Sequence, residues 1–204
     1  SEKINNFQIV DSEIKTALPD LKFENIIEKP TLISMNNSFE TVIFRGVNDG
    51  YSFDNLNKFI LGSKTLNNLT NKEIVISKSL SDKLEIAVGQ NLTLYFQTDN
   101  NQRIPNIRSF SVTHIFKTDF PDFDNNYVIG SSQTLQNIFN WNNDEYATIE
   151  ISIDEKSKIS LIEESISSLK SFEKNNLSIK SIKYKYENIF NWISIFDFNI
   201  ILIT

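Results

Sequence analysis

The chain has 204 residues, of which 40% are hydrophobic and 23% charged, a balance that is typical of a folded domain with a sizeable core. Its net charge of -6 argues against nucleic acid as a partner, because proteins that bind phosphate backbones carry a clustered excess of Lys and Arg. The absence of Cys excludes disulfides, thiolate zinc sites and Cys nucleophiles.

The first third of the chain predicts two helices and two strands. Asp11 or Ser12 is a good cap for a helix that Pro19 ends, and β-prone residues follow at 23–35 and 39–47. A short helix is expected at 54–61, where Gly62 would close it.

The middle of the chain predicts a strand at 73–77, a small helix with Leu80 and Leu84 on one face, and a hairpin. The first hairpin strand alternates at 92–96, and the returning strand spans 108–117. Strict alternation in the returning strand would place Phe110, Val112, His114 and Phe116 on one face. The polar segment 97–107 would then be a long hairpin tip.

The last part predicts a strand at 127–129, a helix at 131–139 and an alternating strand at 146–153. Helical spacing at 158–172 predicts an amphipathic helix that buries Ile162, Ile166 and Leu169, and a strand is expected at 177–182. The chain becomes continuously apolar after Asn199, so 193–204 is interpreted either as the start of a membrane helix or as a buried terminal helix or strand.

These elements predict an α+β fold with two subdomains. The first and last blocks, 1–46 and 146–192, would form one discontinuous subdomain, and 47–145 would be inserted into it.

Few residues of the chain favour catalysis. His114 is the only histidine and alternates with apolar residues, which favours a packed structural role over proton transfer. Asp119, Asp122 and Asp124 lack the spacing of an EF-hand, and no glycine-rich phosphate-binding motif occurs. We therefore expect no enzymatic activity, no catalytic residue, no metal and no cofactor.

Three segments together resemble the periplasmic domain of MacB/FtsX-like ABC transporter permeases. They are VIFRGVNDGYSFDNLNKFILG at 42–62, EIVISKSLSDKLEIAVGQNLTLYF at 73–96 and RIPNIRSFSVTHIFKTDFPDFDNNYVIGSSQTLQNIFNW at 103–141. The third segment is most similar to the lipoprotein-releasing LolC/LolE branch. Two details differ, since 85–87 replaces a usual Gly-Leu-Lys and His114 stands where Gly is usual.

The resemblance implies a non-enzymatic domain on the periplasmic side of the bacterial inner membrane. It implies a porter-like subdomain at 1–46 with 146–192, an inserted β-rich sabre-like subdomain at 47–145, and a transmembrane helix starting at 193–204. The expected partners are a cytoplasmic ATPase subunit, a second permease copy or a paralogue, and, for the LolC/LolE branch, lipoproteins and a LolA-like chaperone.

In LolC-like members a hairpin called the hook recruits the chaperone, and its position matches the tip at 97–107. The resemblance therefore implies that this tip is a partner-binding surface; its candidate residues are Gln102, Arg103, Ile104, Pro105 and Ile107. An ordinary hairpin turn is the alternative. Two alternative functions stay open, a MacB- or FtsX-type permease that moves another substrate or activates a cell-wall hydrolase, and a free-standing binding module.

Overall fold

The structure, a computed structural model, describes residues 2–35, 38–98, 105–153 and 158–180. The chain divides into two compact units, Ser1–Asp154 and Glu155–Thr204. The segment 193–204, interpreted above as the start of a membrane helix or as a buried terminal element, lies outside the described residues.

The first unit begins with helix α1, Phe7–Ala17, which starts earlier than the predicted cap at Asp11. Asn6 precedes it in a left-handed conformation (φ 54°), which Asn tolerates better than most residues. Phe7, Val10 and Ile14 recur at helical spacing and are buried, so burial of this stripe decides where the helix starts.

The other elements of this unit follow the predicted order. Strands β1, Lys22–Met35, and β2, Ser38–Val47, form an antiparallel pair as expected. The elements after them are α2 (Asp54–Asn57), β3 (Glu73–Ser77), α3 (Lys78–Leu84), β4 (Asn91–Phe96), β5 (Asn106–Phe116), α4 (Pro121–Asp124), β6 (Tyr127–Ser131), α5 (Ser132–Phe139) and β7 (Thr148–Ser152).

Strands β1 to β6 close into a barrel. The sheet order is β2-β6-β3-β5-β4-β1-β7, and β1 also pairs with β2, so the series from β2 to β1 returns to its start. Strand β1 is long enough to pair with β4 at 31–34 and with β7 at 22–26 along its other edge. The pairs β2–β6 and β3–β5 are parallel and the others antiparallel, which gives a mixed sheet.

Alternate residues of the strands fill the barrel with apolar side chains. Phe44, Phe96 and Phe110 lie together there, with the Phe44 ring 5.5 Å from Phe96 and 5.6 Å from Phe110 between centroids. Gly130 makes room for them, because a Cβ at that position would lie 2.3 Å from Phe44 Cζ. Helices α3 and α5 add Leu80, Leu84, Leu135 and Ile138 to the same core.

A bulge in β5 places the residues after it on the opposite face from the one that strict alternation predicts. Ile74 pairs with Val112 but Val75 pairs with His114, so Thr113 is the extra residue. Phe110 and Val112 consequently belong to the barrel core, whereas Phe116 packs with Val75 in a second cluster. The prediction that 110, 112, 114 and 116 share one face is wrong for this reason.

The second cluster is covered by the segment 51–69. Phe53, Leu66 and Leu69 of this segment are buried there. The predicted helix at 54–61 ends at Asn57, because the chain then pairs with β5 through an isolated bridge between Ile60 and Phe116.

In the second unit, the helix predicted at 158–172 is two shorter helices, α6, Ile159–Ser167, and α7, Lys170–Lys174. Ile162 and Ile166 are buried as predicted, but Leu169 is only half-buried and has an extended conformation between the helices. Residues 177–180 are not in a strand, so the prediction of a strand at 177–182 is wrong for these four residues. Residues 181 and 182 lie outside the described residues. Local alternation there lacks a pairing partner among the described residues.

The single sheet contains strands from both predicted subdomains. Strands β1, β2 and β7 come from the ranges assigned to the porter-like part, and β3 to β6 come from the inserted range. The α+β composition is as expected, and the division into subdomains stays a prediction.

Candidate functional site

The predicted hairpin is formed by β4 and β5. Their antiparallel register runs from Asn91 opposite Ser111 to Phe96 opposite Asn106, so the hairpin itself is confirmed. Phe96 is fully buried in the barrel and anchors the base of the tip. Three of the candidate partner-binding residues, Gln102, Arg103 and Ile104, lie outside the described residues.

The other two candidates lie at the base of the tip. Pro105 is half-buried, and Ile107 is 49% exposed. Ile107 is directly opposite Tyr95, and Tyr95 is opposite Leu32 on β1, which is 44% exposed. Sequence reasoning did not single out Leu32 and Tyr95, because a strand register that brings distant segments side by side is not readable from local alternation.

A buried arginine joins β1, β2 and β7. Arg45 is 9% exposed, and its guanidinium donates to Glu28 Oε1 at 2.6 Å and to Glu150 Oε2. Burial acts to lower the pKa of Arg45, but attraction to Glu150, the hydrogen bond to it and attraction to Glu28 together raise it. Burial raises the pKa of the adjacent Tyr51, which the charge of Arg45 opposes. The group is therefore an ionised structural clamp that fixes β7 to the barrel.

His114 has the environment of a packed residue. It is buried, and its Nδ1 lies 3.1 Å from Thr113 Oγ1. Burial lowers the pKa of His114, Lys64 lowers it further, and Glu73 acts in the opposite direction. The imidazole is therefore neutral at pH 7, as the packing interpretation expects.

The acidic loop is organised by one of its own carboxylates. Asp124 is buried and accepts hydrogen bonds from the backbone N–H groups of Thr118 and Asp119 and from Thr118 Oγ1, the last at 2.6 Å. Its carbonyl accepts from Ser77 Oγ, the same hydroxyl that caps α3. These contacts assign Asp124 a structural role, because its oxygens are engaged by the loop itself.

A polar cleft of about 520 Å³ lies where the parallel strands β2 and β6 end. Among the described residues that line it, Asp49 alone is charged. The other lining residues are Val47, Asn48, Gly50, Phe53, Asn67, Asn68, Leu69, Thr70, Asn71, Ser131 and Gln133. Amides and hydroxyls both donate and accept hydrogen bonds, so the cleft is suited to neutral polar groups.

Two further observations concern the described residues only. They contain no group of three or more His, Cys, Asp or Glu side chains placed to hold a metal ion. None of their helices combines the length and the apolar character that crossing a membrane requires.

The fold has counterparts among solved structures. The extracellular domain of the noncanonic ABC-type transporter YknZ from Gram-positive bacteria matches with a TM-score of 0.56 and 12% identity, over 86% of this chain and 85% of that one. The chain has the fold of an ABC-transporter extracellular domain. The periplasmic region of MacB from Actinobacillus actinomycetemcomitans also matches, with a TM-score of 0.47 and 16% identity, over 78% of this chain and 72% of that one.

Comparison of the sequence alone adds no relative. No protein-family model matches the chain, and no curated protein matches it either. The YknZ likeness therefore establishes the fold alone, and the location, the role and the LolC/LolE branch belong with the proposals below.

Proposed function

We propose that the chain is the extracytoplasmic domain of a bacterial ABC-transporter permease and that it is not itself an enzyme. The observation that supports this most is the fold similarity to the YknZ extracellular domain, which spans 86% of this chain and 85% of that one. The buried neutral His114 and the internally bonded Asp124 agree with it, since both serve packing.

The proposal assigns the domain to the periplasmic side of the inner membrane. Residues 1–46 with 146–192 would form a porter-like part, 47–145 a sabre-like part, and 193–204 the start of a transmembrane helix. A separate ATPase would bind the permease on the cytoplasmic side, and a second permease copy or a paralogue would complete the transporter. Affinity purification of the full-length protein from membranes should bring down an ATPase, and its absence from a preparation that retains the permease would contradict the proposal.

Within this proposal, we assign the chain to lipoprotein release of the LolC/LolE kind. The support is the sequence resemblance at 103–141 and a confirmed β4–β5 hairpin whose base exposes Ile107. The tip at 97–107 would recruit a LolA-like chaperone, with lipoproteins as cargo. Arg103 would contribute a planar cation and Ile104 an apolar contact, a combination that partner-binding surfaces favour.

The double variant Arg103→Glu/Ile104→Ala tests this assignment. We expect chaperone binding to weaken at least about tenfold, because each change removes a contact that the proposal assigns to the chaperone. Thermal stability should change little, because surface substitutions cost within about 0.5 kcal/mol. Lys64→Glu/Leu61→Ala is the matched control, since both residues are exposed on another loop. Unchanged binding by the hairpin variant would refute the assignment.

A MacB- or FtsX-type permease with another substrate, or one that activates a cell-wall hydrolase, is the second candidate. The similarity to the YknZ domain favours it. Identification of the proteins that co-purify with the full permease distinguishes the two candidates. The first predicts a LolA-like chaperone and lipoproteins, and the second predicts a different partner.

A further inference from the structure

Eleven outward residues on four neighbouring strands of the barrel, beside the hairpin, carry no charge. On β2, β1 and β4 they alternate with buried residues, and on β5 they flank Arg108, which is exposed although it lies opposite the buried Leu94. Their registers place these outward residues side by side: Thr41, Ile43, Pro30, Leu32, Ser34, Asn91, Thr93, Tyr95, Ile107, Ser109 and Ser111. We call these residues the uncharged face.

One row of the uncharged face is apolar at its centre. Leu32, Tyr95 and Ile107 lie directly opposite one another on β1, β4 and β5. Leu32 is 44% exposed and Ile107 49% exposed, so two large apolar side chains stay in contact with water. The next row, Ser34, Thr93 and Ser109, consists of small hydroxyl residues.

The lack of charge among these eleven residues contrasts with the composition of the chain as a whole. Charged residues make up 23% of the chain, and a solvated sheet face normally displays them on alternate positions. Charge returns at the edge of the face, where Arg45 pairs with both Glu28 and Glu150. Exposed apolar groups without charged neighbours are a feature of the buried centre of an interface, which is depleted of charged residues.

The size of the face indicates what can cover it. Four strands at about 4.8 Å spacing give a width of about 14 Å, and the outward rows extend over a similar length along the strands. This area is a few hundred Å² at most, below the roughly 800 Å² per partner that a stable dimer buries. It matches a helix, whose diameter is about 10 Å.

The apolar row also has the spacing of a helix. Neighbouring side chains in the row are about 4.8 Å apart, and side chains on one face of a helix recur about every 5.4 Å along its axis. A helix that lies across the strands would therefore place three successive apolar side chains over Leu32, Tyr95 and Ile107. Where the helix covers these residues its contacting side should be uncharged, because none of the eleven residues offers a countercharge to a buried ion.

We propose that the uncharged face is a docking site for an amphipathic helix of a partner protein, laid across β1, β4 and β5 with its apolar side chains on the row. This surface lies beside the β4–β5 hairpin. The proposal rests on the proposed function only in that a protein partner must exist. The proposal specifies the contacting surface of the partner, an uncharged and apolar helix face. The hairpin assignment does not specify this surface.

A model helix of about 14 residues, with leucines along one face and glutamine, serine and alanine elsewhere, is the probe. Fluorescence anisotropy of the labelled peptide should show saturable binding to the chain. Leu32→Lys and Ile107→Lys should each weaken binding at least about tenfold, because each places an unpaired charge under the helix. Val88→Lys is the matched control, because Val88 is 53% exposed outside the face.

A peptide of the same composition with scrambled leucines tests whether the helix face matters, and we expect it to bind at least about tenfold more weakly. Arg103→Glu/Ile104→Ala should leave peptide binding unchanged, so that failure of the hairpin assignment and failure of this proposal remain distinguishable. Absence of saturable binding, or equal binding by the folded Leu32→Lys and Val88→Lys variants, would overturn the proposal. So would sedimentation that shows a dimer abolished by Leu32→Lys, which would assign the face to a second copy.

Discussion

The close approach of Gly130 to Phe44 makes a specific prediction about the barrel core. In Gly130→Ala the new Cβ would lie 2.3 Å from Phe44 Cζ and 3.0 Å from Cε1 and Cε2. Phe44 cannot move away easily, because it is fully buried between Phe96 and Phe110. Overpacking of this kind costs about 3 kcal/mol of the free energy of unfolding.

A smaller side chain at position 44 should relieve this clash. Phe44→Leu alone leaves a cavity and should cost about 2 kcal/mol. In the double variant the leucine makes room for the alanine methyl, so the combined cost should fall short of the sum by at least about 1 kcal/mol. Urea unfolding of the four proteins, with unchanged m-values as a check on two-state behaviour, measures the coupling. Additive costs would refute this account of the contact.

Two further predictions concern charged groups. Arg45→Met should lower the free energy of unfolding by about 1–3 kcal/mol, since it removes the cation that pairs with Glu28 and Glu150, whose carboxylates can still reach water. Lys15→Met, which removes an exposed pair with Asp11, should cost less than about 0.5 kcal/mol, and equal losses would contradict the clamp. Because the pKa of His114 is lowered in the folded state, the folded chain favours the neutral imidazole. The stability that this preference contributes is complete above pH 6.5 and is lost as the pH falls toward the lowered pKa. His114→Gln should therefore lose less thermal stability between pH 7 and pH 5 than the parent chain, and identical pH profiles would contradict the assignment.

The elements of the barrel were largely predictable because each has a strong local pattern. β3 was predicted from a short apolar run and α3 from Leu80 and Leu84 on one face. The structure adds that Ser77 caps α3 by accepting from the N–H of Leu80. Alternation at 92–96 was equally sufficient for β4. Such signals are local, so they identify an element without the rest of the fold.

The misses arise where non-local contacts override the local pattern. The bulge at Thr113 is set by pairing with β3, and the early end of α2 by the bridge from Ile60 to Phe116. The same limit applies to the site. Ile107 was a candidate from the sequence, but its neighbours Tyr95 and Leu32 become visible only through the strand register.

The proposed extracytoplasmic location can be tested directly, because these 204 residues contain no cysteine. In the full-length protein, with any cysteine elsewhere replaced by serine, Val88→Cys places one thiol on an exposed position, and Leu135→Cys places one in the buried core as a control. A membrane-impermeant maleimide applied to intact cells should label Val88→Cys as strongly as it does after lysis and should leave Leu135→Cys unlabelled. Labelling of Val88→Cys only after the inner membrane is broken would place the domain in the cytoplasm and contradict the account.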